Sequence, residues 1–197
     1  MCWNSKVSLN TFLFSLFGIS FAYFNNVIDI FIYLFFLSFI SIQLVEYFTW
    51  KNINDKKMNT FLSQIALFLI IIQAPLFIFS RKITNELKAF LIGLYIFFII
   101  FCILNYTIDF SMKKAINGHL AWNWLNFPLS IILIWVTFSF GLILYEERYI
   151  EFILYLLLFL TIYYTYYKYN TWGSLWCWIA NLLALKLIIQ VFLDYKC

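Results

Sequence analysis

Charged residues are scarce in this chain of 197 residues. Only 11% of its residues are charged, whereas 65% are hydrophobic. A soluble globular domain is about one quarter charged and about half apolar, so a water-soluble fold of this size could not bury so many apolar side chains. The composition therefore excludes an ordinary soluble domain and indicates a protein whose outer surface is solvated by lipid.

Proline, glycine and histidine are also few, and each shortage excludes a class of structure. Two prolines and five glycines leave no linker-like segment, which predicts a single domain over residues 1–197. A single histidine, His119, and four scattered cysteines without a CxxC pair argue against a zinc site, so no metal or other cofactor is expected. The net charge of +4 is not gathered into a basic stripe, which argues against a nucleic-acid partner.

Seven apolar runs are long enough to cross a bilayer as helices. A membrane helix needs about 20 mostly apolar residues to cross about 30 Å of hydrocarbon. The predicted helices span residues 8–24, 27–50, 60–80, 89–108, 128–145, 152–169 and 175–195. These runs are too long for strands and do not alternate. The predicted fold class is all-α, a polytopic transmembrane bundle of seven helices with the lipid bilayer as its main partner; an oligomer is compatible with this sequence.

The loop charges predict which side of the membrane each terminus occupies. Seven helices place the two termini on opposite sides of the membrane. The side that holds the N-terminus and the segments 51–59, 109–127 and 170–174 is named side A, and the opposite side is named side B. Side A carries seven basic residues against five on side B and fewer carboxylates, and basic loops favour the cytoplasm. We therefore expect a cytoplasmic N-terminus and a C-terminus that is outside or lumenal.

The longest connection, 109–127, contains the sequence Gly-His-Leu-Ala-Trp at 118–122. We expect this stretch to open a short interfacial helix, with Trp122 and Trp124 at the depth of the lipid headgroups. Tryptophans at that depth usually form an aromatic belt that anchors the protein.

Polar side chains inside membrane helices are costly and therefore mark candidate functional positions. Gln43 and Glu46 lie on one face of the second helix near side A. Gln73 lies near the middle of the third helix, beside a proline that frees a backbone carbonyl one turn earlier. Lys186 and Gln190 share a face of the seventh helix, with Lys186 near mid-membrane.

Each of these positions also has a structural interpretation. Glu46 could cap a neighbouring helix or reach the interface, Gln73 could simply pack beside the kink, and Lys186 could extend its stem to side B. A lysine in the seventh helix also suggests a retinal protein. That interpretation is disfavoured because no carboxylate lies at mid-depth to serve as a counter-ion.

His119 has three interpretations. A lone loop histidine is most often an interfacial residue. It could also relay a proton with Glu46, because histidine titrates near neutral pH. Finally, it could act as the base for a nucleophilic Cys2 or Cys177.

Five short motifs, in order along the chain, resemble a family of small multi-pass membrane proteins of bacteria and of large DNA viruses of protists. They are Met1-Cys2-Trp3-Asn4 with Val7-Ser8, Gln43-Leu44-Val45-Glu46, Gln73-Ala74-Pro75, Gly118-His119-Leu120-Ala121-Trp122 and Trp172-Gly173-Ser174-Leu175-Trp176-Cys177-Trp178. Members of that family often begin MCWS, where this chain has Asn4, and some carry a histidine in the third helix, which this chain lacks. The resemblance implies a multi-pass membrane fold and implies no particular activity.

The seven-helix topology gathers most of these residues at side A. We therefore predict a side A vestibule with Gln43, Glu46 and His119 at its mouth and Gln73, Lys186 and Gln190 deeper. Its aromatic residues would be Trp3, Trp122, Trp172 and Trp176. The leading functional hypothesis is a protein that binds or translocates a small solute, a proton or a lipid through this vestibule. The alternatives are a purely structural membrane protein and a membrane-embedded enzyme of lipid acyl transfer or hydrolysis.

Overall fold

The computed structural model describes residues 3–194, with the backbone alone at 175, 176 and 194, and these residues form seven α-helices. The helices are α1 (Ser5–Phe24), α2 (Ile30–Lys51), α3 (Lys56–Phe79), α4 (Asn85–Asn105), α5 (Leu129–Tyr145), α6 (Tyr149–Tyr166) and α7 (Trp176–Asp194). The predicted all-α fold and its seven helices are confirmed, and no boundary differs from the predicted one by more than four residues.

Six of the seven helices are long and apolar enough to cross a membrane. The remaining helix, α5, is also apolar but has only 17 residues. Helices α4 and α6 bury least of their surface and expose large apolar side chains, such as Phe97 and Leu104 of α4, which are 70% and 78% exposed. Apolar side chains on the outer surface are typical of a protein that lipid surrounds.

Capping side chains fix where four of the helices begin. In each case a side-chain oxygen accepts a hydrogen bond from a backbone N–H of the first turn, which otherwise has no partner inside the helix. The capping residues are Asn4 for α1, Asp29 for α2, Asp55 for α3 and Thr84 for α4. The turn between α1 and α2 is tight, and Asn26 adopts a positive φ of 59°.

Small residues bring α1 and α7 close together. A Cβ built on Gly18 of α1 would lie 2.9 Å from the Cβ of Ala184 in α7, a contact shorter than atoms tolerate. Ala22, one turn further along α1, is fully buried. Close approach over small side chains is a common way for helices to associate in membranes, where burial of apolar surface gives no driving force.

The segment after α4 forms a β-hairpin rather than a helix. Strand β1 (Met112–Lys114) pairs antiparallel with β2 (Leu120–Trp122), so the stretch 118–122 does not begin an interfacial α-helix as predicted, and a single 3₁₀ turn follows it at Asn123–Leu125. Gly118 has a φ of +81°, a value that favours glycine, and it closes the loop between the strands. The extended backbone that follows lets β2 pair with β1, and the Trp122 N–H of β2 donates to the Asn170 carbonyl at 3.0 Å.

Asn59 fastens this hairpin to the beginning of α3. Its side-chain amide donates to the Met112 carbonyl and its carbonyl oxygen accepts from the Met112 N–H, both at 2.8 Å. The hairpin therefore lies at the end of the bundle where α2 ends and α3 begins. That end contains the segments assigned to side A.

The indoles of the hairpin are buried within the protein. Trp122 and Trp124 stack with ring centroids 5.0 Å apart, and each is only 1% exposed. Gly173 provides the space, because a Cβ there would lie 2.3 Å from Trp122. The predicted aromatic belt at these two positions is therefore wrong: the rings pack against the segment that precedes α7 and do not face lipid.

Candidate functional site

A cavity of about 290 Å³ reaches side B between α2, α3, α5, α6 and α7. Five polar side chains line its side B end: Arg81 after α3, Arg148 and Glu151 at the beginning of α6, and Lys186 and Gln190 of α7. The remainder of the lining is almost wholly apolar and includes Phe35, Phe36, Phe39, Phe140, Leu158, Phe159, Ile179 and Leu183. The cavity therefore combines a charged opening with an apolar interior.

The turn between α5 and α6 positions Arg148 at this opening. Helix α5 ends with two hydrogen bonds, from Glu147 N–H to the Leu144 carbonyl and from Arg148 N–H to the Ile143 carbonyl. This closure requires a left-handed residue, and Glu147 takes that conformation with a φ of 60°. The chain consequently reverses within three residues, and Arg148 lines the cavity.

Two carboxylates hold the arginines. Arg81 Nη1 lies 3.0 Å from Glu146 Oε2, and Arg148 Nη1 lies 3.5 Å from the same oxygen. Arg148 Nε also donates to Glu151 Oε1 at 3.1 Å. Because Arg148 is 44% exposed, its pairs are weak in aqueous surroundings and can exchange partners.

Lys186 gives the opening an excess of positive charge. It makes no ion pair within 4.0 Å among residues 3–194, and the described lining of the cavity contains three cations, Arg81, Arg148 and Lys186, beside one carboxylate, Glu151. It lies about 15 Å along α7 from the first residue of the helix. Gln190, one turn closer to side B, lines the same cavity, as its spacing from Lys186 predicts.

The other predicted polar residues of the helices do not line this cavity. Gln43 and Glu46 are completely buried, and their face of α2 also includes the buried Thr49. Helix α2 packs mainly against α1 and α3, and the residues that these helices bury at the same end include Ser8 and Ser63. The structure therefore places Gln43 and Glu46 in a polar contact region between helices.

Gln73 is buried at 3% exposure, and its Nε2 has no hydrogen-bond partner within the described part of the chain. It lies one turn before Phe77, which lines the side B cavity, but Gln73 does not line the cavity itself. The predicted continuous route from Glu46 through Gln73 to Lys186 therefore does not coincide with this cavity.

His119 lies at side A, immediately before β2, and is 6% exposed. Its ring meets Tyr166 edge to face, with centroids 6.0 Å apart, and its Nδ1 has no hydrogen-bond partner in residues 3–194. Burial lowers the pKa of the His119 imidazole below its ordinary value. No hydrogen bond joins this nitrogen to Glu46, so the relay between them stays a prediction.

The cysteine interpretation of His119 involves two residues. Cys177 is buried, and its Sγ donates to the Ser174 carbonyl at 3.2 Å. Cys2 lies outside the described residues. A nucleophile beside His119 therefore also stays a prediction.

The four indoles of the predicted vestibule have different environments. Trp3 is 49% exposed, whereas Trp122 and Trp172 are buried at 1% and 3%. The side chain of Trp176 is outside the described part of the structure. Trp122 and Trp172 therefore pack inside the protein at side A, and neither lines the side B cavity that holds Lys186.

A second cavity, of about 450 Å³, lies between α3, α4, α5 and the segment that follows α4. Its lining is almost purely apolar and aromatic, and includes Ile71, Phe98, Ile99, Cys102, Tyr106, Leu125, Phe127, Ile132, Trp135 and Trp172. The residues of α4 and α5 come from the side A halves of these helices, whereas Ile71 lies just past the middle of α3. Sequence reasoning did not anticipate this cavity.

No family model matches the chain, and no curated protein or solved structure shows significant similarity to it. The resemblance carried by the five motifs stays a prediction. In the described residues, no group of three or more His, Cys, Asp or Glu side chains could hold a metal ion.

The side B cavity can bind a molecule that is charged at one end and apolar at the other. Arginine presents a planar fork of donors that suits phosphate and carboxylate groups. The sequence analysis did not identify Arg81 and Arg148 as site residues, because each lies in a short connection between helices. A basic residue in such a connection is already explained by its effect on the orientation of the protein in the membrane. The signal that could have found them is that the two arginines of the sequence both lie in connections that meet at side B.

Proposed function

We propose that this chain is a seven-helix integral membrane protein that binds an anionic amphiphile in the side B cavity. Helix α5, at 17 residues, falls at the lower end of the length that crosses a bilayer. The observation that supports the ligand is the cationic opening above an apolar interior. The amphiphile carries a phosphate or carboxylate headgroup and a single hydrocarbon chain.

Charge complementarity selects the headgroup. Glu146 and Glu151 already neutralise part of the charge of Arg81 and Arg148, whereas Lys186 has no ion pair in the described structure. An incoming anion therefore binds Lys186 and competes with the carboxylates for the two guanidinium groups. Charge-assisted hydrogen bonds of this kind are about twice as strong as neutral ones.

The apolar interior selects the tail. A cavity lined by Phe39, Leu158 and Ile179 offers no partner to a hydrated ion, and a charge that entered it would lose its solvation. A hydrocarbon chain has no such solvation to lose when it enters the cavity. This contrast favours amphiphile binding over the passage of protons or small ions, for which Glu46, Gln73 and Lys186 would have to line one route.

The arrangement of the helices supports access from the bilayer. Helix α6 packs against α5 and against the segment before α7, and the cavity lies between α6 and α7. A lipid in the side B leaflet would reach the cavity by passing between these two helices. The tail need not cross water on this route.

Photolabelling in phosphatidylcholine nanodiscs tests the proposal. The probe is dodecyl phosphate with a diazirine in its chain, and the crosslinked residues are identified by mass spectrometry. We expect crosslinks to α6 and α7 residues that line the cavity. Excess unlabelled dodecyl phosphate should abolish these crosslinks, and excess dodecanol should not. Lys186→Met should weaken binding about tenfold or more, since it removes a hydrogen bond to a charged group.

Lys82→Met is the matched control, because Lys82 is an exposed lysine on side B that does not line the cavity. This variant should bind the probe as the unaltered protein does. Equal competition by dodecanol, or an equal effect of both lysine substitutions, would contradict the proposal. Absence of any saturable crosslink would favour the structural interpretation of the chain.

A further inference from the structure

The second cavity differs from the first in the chemistry of its opening. Its interior is apolar throughout, with Cys102 and Trp135 among its few heteroatom-bearing side chains. Water does not occupy apolar cavities stably, and a charged group would be unsolvated there. Only a hydrocarbon portion of a ligand fits this interior.

The side A end of this cavity adjoins a polar pocket of about 300 Å³. Phe127 lines both, so the apolar interior and the polar pocket are adjacent. Tyr106, which lines the cavity, meets Phe127 edge to face at 5.6 Å. The two rings therefore form a hydrophobic boundary between the tail region and the headgroup region of a bound amphiphile.

The polar pocket is rich in uncharged hydrogen-bonding groups. Asn123, Asn126 and Asn170 line it together with Thr107. Amide side chains both donate and accept hydrogen bonds, as hydroxyl groups do. Within the described part of the chain, the charged side chains in its lining are Asp109 and Lys113, one of each sign, so this lining has no excess charge to attract an ion.

The indole of Trp124 also lines this pocket and is 1% exposed. It stacks on Trp122 with ring centroids 5.0 Å apart, so the pocket has an aromatic wall beside its amide groups.

We infer that the second cavity and its polar pocket form a binding site for an uncharged amphiphile with a hydroxyl-bearing headgroup, of the monoacylglycerol class. The tail lies between α3, α4 and α5, and the headgroup lies at side A against the asparagines. This site shares no residue with the side B cavity and goes beyond the proposed function. The protein would then hold two amphiphiles of different charge at opposite ends of the bundle.

Photolabelling with a monododecanoylglycerol that carries a diazirine in its chain tests this inference in phosphatidylcholine nanodiscs. We expect crosslinks to α4 and α5 residues that line the cavity. Excess unlabelled monododecanoylglycerol should reduce them at least fivefold, and dodecyl phosphate at the same concentration should not. The anionic probe and Lys186→Met report on the other cavity, so the failure of either proposal can be distinguished from the failure of the other.

Asn126→Leu is the test variant, because Asn126 is exposed and makes no side-chain hydrogen bond in the described structure, so the fold should tolerate the change. It should reduce the saturable crosslinking at least threefold. Asn54→Leu, an exposed asparagine at the same end outside this pocket, should leave it unchanged. Crosslinks spread evenly over the outer faces of α4 and α6, equal competition by dodecyl phosphate, or equal results for the two variants would each overturn the inference.

Discussion

Tyr95 of α4 donates a hydrogen bond through its hydroxyl to the backbone carbonyl of Ile71 in α3, at 2.8 Å. Pro75 lies inside α3 and has no N–H, so this carbonyl, four residues earlier, lacks its helical donor. Tyr95 is 2% exposed, and no water is expected at this depth of an apolar bundle. One phenol therefore satisfies the group that the proline leaves open and joins two helices.

Tyr95→Phe should lower the free energy of unfolding by about 1–3 kcal/mol, because the Ile71 carbonyl is then buried without a donor. Reversible unfolding in mixed micelles measures this change. A double-mutant cycle provides the control. In the Pro75→Ala background the helix recovers an N–H at position 75, so Tyr95→Phe should cost less than half as much. An equal loss in both backgrounds would show that the hydroxyl serves some other purpose.

Glu147 should be replaceable by glycine with a gain in stability. Among residues 3–194, three non-glycine residues have a positive φ, and two of them, Asn26 and Asn170, are of the type that tolerates it. Glu147 is the exception, and a left-handed conformation costs a residue with a Cβ about 1–2 kcal/mol. Glu147→Gly should therefore raise the thermal unfolding temperature, whereas Asn26→Gly should change it less. A fall in that temperature on Glu147→Gly would contradict the strain argument.

Two glycine-to-alanine substitutions should change the stability of the protein in opposite directions. Gly18→Ala places a methyl group 2.9 Å from Ala184 Cβ, so α1 and α7 must separate and the protein should lose about 1–3 kcal/mol of stability. Gly93→Ala, in α4, meets nothing within 4 Å and should gain up to about 1 kcal/mol from helix propensity. Unfolding of both variants in the same micelles tests the pair, and a similar effect of the two substitutions would refute the close-packing account.

Much of the helical architecture follows from the sequence, because length and apolarity are local properties. The hairpin does not, since its strands are only three residues long and its position depends on Asn59, more than fifty residues from Met112. Burial of Trp122 is equally non-local: it depends on the absence of a side chain at Gly173.

Some residues of the candidate site could likewise be predicted from the sequence, and others could not. Lys186 and Gln190 are predictable because one helix places them on one face. Arg81, Arg148 and Glu151 come from other elements, and only the packing of α3, α5 and α6 brings them to the same opening. The predicted vestibule grouped residues only because they were expected on the same side of the membrane. Residues on one side need not line the same cavity.

His119 should make the stability of the protein dependent on pH. Burial lowers the pKa of His119 in the folded state, whereas in the unfolded chain it titrates near 6.5. Between the two pKa values the unfolded chain binds more protons, so stability rises with pH in that range. The contribution of neutral His119 is therefore complete above about pH 6.5 and is lost as the pH falls through the lower, folded-state pKa.

The thermal unfolding temperature, measured from pH 8 to pH 5, tests this assignment. His119→Gln cannot be protonated, so this variant should lose less stability on acidification than the unaltered protein does. The substitution should cost more at pH 8 than at pH 5, because only the unaltered protein has lost stability at the lower pH. Parallel curves for the two proteins would mean that carboxylates elsewhere in the chain, and not the buried imidazole, govern the acid sensitivity.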